Sequence, residues 1–176
     1  MSDPTTGYSF RRRVPDGDNR ERHVCDDCGW IHYVNPRVVV GAVATWEDRV
    51  LLCVRDIEPR RGFWTVPAGF LEEDESAEAG AARETLEEAN ARITIDALLA
   101  VYSIPRISQI QLMYRATLDD ADVSPGEESR EVRLFRWDEI PWDDLAFPTV
   151  TWALRHFKEV EGRPVFAPFT APDPGS

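Results

Sequence analysis

The longest uncharged apolar run in the chain lies between Val38 and Trp46, and RVVVGAVATW over Arg37–Trp46 predicts a buried strand. Glu47-Asp48 marks a turn, and RVLLCVR at Arg49–Arg55 predicts a second strand, the hairpin partner of the first. A loop with Pro59, Arg60, Arg61 and Gly62 leads to a short WTVP segment and Ala68-Gly69. The clearest helical stretch is AEAGAARETLEEA, Ala77 to Ala89. Ser76 is placed to cap it, Glu78 in its first turn suits the helix dipole, and Asn90 stands at its stop, where asparagine tolerates the left-handed conformation. β-rich runs over 92–104 and 107–118, broken at Pro105, predict two strands, and EVRLFRW over 131–137 predicts another after an acidic loop with Pro125-Gly126. Pro148 opens a last helix ending near Val160, apolar at Val150, Trp152, Ala153, Leu154 and Phe157. Residues 1–24 are polar and lack apolar periodicity, which predicts an extension, and four prolines after Glu161 predict an irregular tail.

With 176 residues and 43% apolar content, the chain suits one domain with a core that needs no disulfide framework. A nine-residue apolar run falls well short of the roughly 20 needed to cross a bilayer, so no membrane association is expected. Residues 1–13 contain no apolar secretory segment, and the odd number of cysteines, three, points to a reducing, cytoplasmic compartment. The formal charge of -12 repels phosphate backbones, which argues against nucleic-acid partners and is compatible with cation binding.

Cation chemistry has a definite candidate. Glu84, Glu87 and Glu88 stand at i, i+3 and i+4, within an arc of roughly 100° on one helix face. Like charges at those separations destabilise a helix by roughly 0.2–0.5 kcal/mol per pair unless a cation sits between them. Clustered carboxylate oxygens suit a hard divalent ion such as magnesium, although a solvated acidic face meets the same spacing. The wider pattern decides between these readings. Gly69, five residues, Glu75, seven residues, then Arg83-Glu84-Thr85-Leu86-Glu87-Glu88 resembles the Nudix box over Gly69–Ala91. Asn90 replaces the family glycine and Ala91 the usual aliphatic, both past the last carboxylate, so weakened packing is the most that is expected there.

The resemblance implies an α/β fold, a Nudix α/β/α sandwich with a mixed sheet and a loop–helix–loop metal site, over residues 35–160. It implies Mg2+, or Mn2+ in its place, on Glu84, Glu87 and Glu88 and the carbonyl of Ala68, with Glu75 and Arg83 as the pair fixing loop against helix. It also implies hydrolysis of a nucleoside diphosphate derivative, a small-molecule substrate, with the base drawn from a loop outside the box. PGEESREVRLF offers Glu127, Glu128 and Glu131, of which Glu128 matches the family's spacing best; a plain acidic loop accounts for the same residues.

HVCDDCGWIHYVNPRVVVGAV, LLCVRDIEPRRGFWTVPAGF, GEESREVRLF and EIPWDDLAFPT further resemble a Nudix subgroup with a zinc-ribbon-like N-terminal element. That similarity covers residues from about 20 to 158. It implies a homodimeric enzyme converting FAD to FMN and AMP, or ADP-ribose to AMP and ribose 5-phosphate. The element, residues 1–34, has only Cys25 and Cys28, and the stretch Gly7–Arg13 lacks the other pair. Completing the set with His23 and His32 would demand a very tight wrap, so zinc is not expected and packing should hold the element. Cys53 reads as a small core residue. Arg55, Arg60, Arg61 and Arg106 are candidates for phosphate contacts, Phe63, Trp64 and Tyr102 for stacking, and Gln109 for a polar contact; each serves equally as surface charge or core. A NADH pyrophosphatase is a rival, but its SQPWPFP-like segment is replaced by SIPRISQIQ at Ser103–Gln111. A nucleotide-pool cleansing triphosphatase is a second rival, since the box does not encode the substrate. A non-catalytic nucleotide-sensing Nudix module is a third, disfavoured by three intact carboxylates. Residues 161–176 are expected as a Pro-rich tail.

Overall fold

A computed structural model of the chain describes residues 9–172, which fall into two compact units divided at Pro36 and Arg37. In the first, β1 (Phe10–Arg13), β2 (Arg22–Cys25) and β3 (Ile31–His32) form an antiparallel sheet in that order. The polar extension expected over residues 1–24 therefore contains two strands. FRRR carries no apolar period because backbone pairing and charge hold it: Arg11 meets Asp26 at 3.0 Å and Arg12 meets Glu21 at 3.1 Å.

The second unit is a mixed sheet between two helices. Its strands are β4 (Arg37–Trp46), β5 (Arg49–Arg55), β6 (Trp64–Thr65), β7 (Ala68–Phe70), β8 (Ile93–Ile104), β9 (Gln109–Leu118), β10 (Ser129–Arg136) and β11 (Phe169–Thr170); its helices are α1 (Ala77–Ala89) and α2 (Pro148–Glu159). The sheet runs β10-β5-β4-β9-β8-β11, with β6 beside β5 and β7 beside β4. β4 lies parallel to β9 and β11 parallel to β8, and the other pairs are antiparallel. Side chains alternate across this sheet. Val40, Ala42 and Ala44 of β4 pack with Ala81 and Ala89 of α1, whereas Val43 packs in the cluster of Leu154 and Phe157 of α2. Both faces are covered, so the strand reads as an unbroken apolar run.

The hairpin of β4 and β5 pairs only at Thr45↔Val50 and Trp46↔Arg49. Beyond that the strands fork: β7 takes the edge of β4, with Gly41 opposite Ala68, and β6 takes the edge of β5. Gly41 permits the fork because an added Cβ would overlap the Ala68 methyl and come within 2.7 Å of the Pro67 carbonyl. The fork carries Ala68-Gly69 to the foot of α1.

Pro105–Ile107 forms one 3-10 turn, so β9 starts at Gln109, two residues later than predicted. β10 starts two residues earlier than predicted. The tail is not wholly irregular. β11 pairs with Ala100 and Val101, and the Phe169 ring stacks on His156 of α2 at 4.2 Å, while the His156 Nδ1 lies 2.7 Å from the Tyr102 hydroxyl.

Leu154 is wholly buried at the centre of the α2 layer. Leu154→Ala is expected to cost about 2–5 kcal/mol in urea unfolding, with an unchanged denaturant slope; a loss under about 1 kcal/mol would contradict this packing.

Candidate active site

α1 begins and ends on side-chain chemistry. The Ser76 Oγ accepts the Ala79 N–H at 3.2 Å, and Asn90 closes the helix in the left-handed region at φ 48°. Between these caps one face is turned inward: Gly80, Ala81, Glu84, Thr85, Glu88 and Ala89 are buried. The three box carboxylates are therefore unequal, with Glu84 and Glu88 buried and Glu87 exposed.

Each is held by a different part of the fold. The Glu88 Oε2 accepts the Ala68 N–H at 3.3 Å and faces the Cys53 Sγ at 3.4 Å, so the buried thiol of β5 serves as a donor to the site. The Glu84 carboxylate lies against Gly69, where an added Cβ would overlap it and force the carboxylate to move aside. Arg83 ties the rest together. Its Nη1 donates to Glu84 at 2.8 Å and to Glu87 at 2.9 Å, its Nε and Nη2 grip Glu75 at 3.1 and 2.9 Å, and Nη2 also reaches the Phe70 carbonyl at 3.0 Å. The Glu72 N–H adds a bond to Glu75 at 2.8 Å. Loop and helix are thus joined by a two-pronged ion pair.

Burial and charge push these groups in opposite directions. Arg83 and then the Glu72 N–H hold the Glu75 carboxyl down at about 2. Burial lifts Glu88 to about 7 despite its bond to Cys53, and the nearby Glu84 charge adds to the rise. Glu84 is raised by burial as well, opposed by Arg83. Burial also raises the Cys53 thiol.

Glu72, Arg83, Glu84, Glu87 and Glu88 line a cleft of about 1450 Å³. Ala68, Arg55, Arg106, Gln109, Glu127 and Glu128 line it with them. Glu128 is fixed through its backbone, its carbonyl accepting the Asp56 N–H at 2.8 Å. Glu131 does not line the cleft but pairs with Val54 in the sheet. Several further candidates also lie elsewhere. The Trp64 ring packs edge-on against Phe135 at 4.8 Å, and Arg61 is engaged by Asp56 at 2.8 Å. Tyr102 is fully buried beneath Trp152 and His156, and the Arg60 Nε donates to the Ala146 carbonyl. In their place the walls carry Phe70, Gln111, Phe147 and Trp152, which sequence reasoning missed or read only as helix apolar positions. Arg55 lies over the Phe147 ring at 5.3 Å.

The donor set suits a hard divalent cation. The side chains that could hold one are carboxylates, a glycine makes room for one of them, and a guanidinium already stands beside two of them. Among the described residues no three acidic, histidine or cysteine groups converge as a finished metal cluster, and Arg83 pairs with both Glu84 and Glu87.

Comparison with known proteins gives the same direction. The family model for the NUDIX domain matches residues 35–158, and the zinc-ribbon model described as Nudix N-terminal matches residues 6–34. The crystal structure of a NUDIX hydrolase from Nitrosomonas europaea is 49% identical, covers 96% of this chain and 97% of its own, and superposes with a TM-score of 0.88. The ADP-ribose pyrophosphatase of Methanocaldococcus jannaschii is 29% identical over 119 residues, 65% of this chain and 69% of that enzyme. A NAD-capped RNA hydrolase of Enterobacter is 32% identical over 123 residues, and the chain spans only 46% of its length.

The zinc-ribbon match covers the first unit, whose described residues pair as follows. Cys25 and Cys28 are the element's only cysteines, and β1 sets Phe10, which packs edge-on to Trp30 at 6.1 Å, across from Cys25. His23 and His32 face each other across β2 and β3, with ring centroids 6.4 Å apart.

The lifted Glu88 carboxyl has a consequence for stability. Between its ordinary 4.5 and about 7 the folded chain holds a proton there that the unfolded chain has lost. In chelator-treated protein this group's contribution to stability is therefore expected to fall as pH rises through that window and to level off above it. Urea unfolding of wild type and Glu88→Gln at stepped pH checks this: the difference between them should change across the window, and parallel curves would refute it.

Proposed function

The chain belongs to the Nudix hydrolase family, and from that premise we propose that it cleaves the diphosphate linkage of ADP-ribose or FAD with Mg2+, releasing AMP. The observation that carries this reading is the meeting, at one cleft wide enough for a dinucleotide, of three carboxylates from one helix with the loop of Glu128. The similarity to an ADP-ribose pyrophosphatase supports ADP-ribose as the first substrate to test. The subgroup resemblance supports FAD and a homodimeric enzyme, and the three cysteines support a reducing, cytoplasmic compartment.

In this reading Glu84, Glu87 and Glu88, with the Ala68 carbonyl, hold the cation. When bound, Mg2+ neutralises the bridging diphosphate and lowers the pKa of a water. The chain supplies the rest. Ala68 and Cys53 keep the Glu88 carboxylate aimed, and the Glu75–Arg83 pair keeps the loop on the helix. Glu128 accepts the proton of the attacking water as its oxygen bonds to phosphorus, and the anhydride P–O bond breaks with the bridging oxygen leaving on the other phosphate. AMP and ribose 5-phosphate, or AMP and FMN, result. Arg55 and Arg106 meet the phosphates, and Gln109 lies on the wall for the sugar or ring system.

Incubating the protein with Mg2+ and FAD, ADP-ribose, NADH, diadenosine polyphosphates or deoxynucleoside triphosphates, with products separated by chromatography, tests this reading. AMP from ADP-ribose or FAD is the expected product, and preferential pyrophosphate release from triphosphates would replace it. Glu88→Gln is expected to lower turnover at least about 100-fold while circular dichroism stays unchanged, since even outer partners of metal ligands are worth about 10–100-fold.

A further inference from the structure

One of the two residues that depart from the box pattern makes contacts that glycine could not. Asn90 closes α1 in the left-handed region, a role glycine fills equally well, yet its side chain does more. The Nδ2 group donates to the Pro125 carbonyl at 2.9 Å and the Ser124 carbonyl at 3.3 Å, and lies 3.2 Å from the Ser124 Oγ. Two carbonyls can only accept, so they fix which way the amide points.

The loop it holds is docked along the end of α1. The Ser124 N–H donates to the Ala89 carbonyl at 3.0 Å and the Gly126 N–H to the Glu88 carbonyl at 3.1 Å, which satisfies acceptors that the helix end leaves open. Gly126 rests directly on the Glu87 carbonyl, where a Cβ would overlap. Two residues on, the Glu128 carbonyl is pinned from the other side by the Asp56 N–H at 2.8 Å. Glu127-Glu128 is thus strung between two anchors, one on the metal helix and one on the β5 edge. Glu128 lies close enough to Glu84 for their charges to oppose each other.

We infer that Asn90 is a positioning residue: its side-chain amide clamps Ser124-Pro125 to the end of α1 and so sets the place of the Glu128 carboxylate over the box glutamates. The kinetic part of this inference rests on the reading of Glu128 as general base. Asn90→Gly separates the two roles, because glycine keeps the left-handed stop and removes only the amide. The expected result is a kcat lowered about tenfold, with KM and the Mg2+ dependence changed less than about twofold. Amide hydrogen exchange should quicken over residues 124–129 and stay unchanged within α1. Asn90→Asp keeps the backbone preference but turns an acceptor toward two acceptors, and is expected to lose at least as much as Asn90→Gly. An Asn90→Gly protein with wild-type kcat, or with unchanged exchange over 124–129, overturns the inference. A Glu128→Gln protein with full activity overturns the base reading instead, and the exchange measurement then judges the clamp by itself.

Discussion

Carboxylates three and four residues apart on one helix repel each other, and α1 carries Glu84, Glu87 and Glu88 with a guanidinium set among them. Arg83 meets two of the three with one nitrogen and commits its other edge to Glu75 and the Phe70 carbonyl. The same side chain therefore neutralises the acidic face and fastens the preceding loop to it. Burial adds a second demand. Glu84 and Glu88 are largely buried, so lost hydration resists their ionisation, and Glu87 is the exposed member of the three. A site built this way favours an incoming cation, because every carboxylate there gains from positive charge that a single arginine supplies incompletely.

The sheet is arranged to meet that demand. The fork of β4 and β5 brings Ala68-Gly69 under the helix, Gly41 lets the inserted segment approach, and Gly69 leaves room for a carboxylate on top of backbone. Cys53 and the Ala68 N–H then fix one oxygen of Glu88 from below. These contacts come from segments distant in sequence, so the precision of the site is a property of the sheet rather than of the helix.

That division explains what could be read from residues alone. Strands β4 and β5 and helix α1 lie where their apolar runs and caps place them, because those signals are local. β1 is hidden by its arginines, which pair through backbone and charge rather than an apolar face. β11 is hidden by flanking prolines, and its partner Ala100 lies far back in the chain. The box spacing shows which glutamates share a face but not that two are buried, since that depends on β7. Trp64 and Tyr102 suit a cleft or a core equally well on paper, and Phe135, Trp152 and His156, all distant in sequence, decide for the core. Asn90 reads as a tolerated exception at a helix stop; its bonds to Ser124 and Pro125 appear only once the loop has folded back.

The short parallel strand β11 bears on how one border of the sheet is kept from sticking to its surroundings. β8 is a twelve-residue strand rich in isoleucine, leucine and valine, and without a neighbour it would present a row of unpaired amides to any other chain. Phe169-Thr170 occupies part of that border and is pinned there by the ring of His156. Trimming the chain ahead of Phe169 would strip this guard from the sheet margin and invite strand-to-strand clumping, even though every residue that lines the cleft would remain in place.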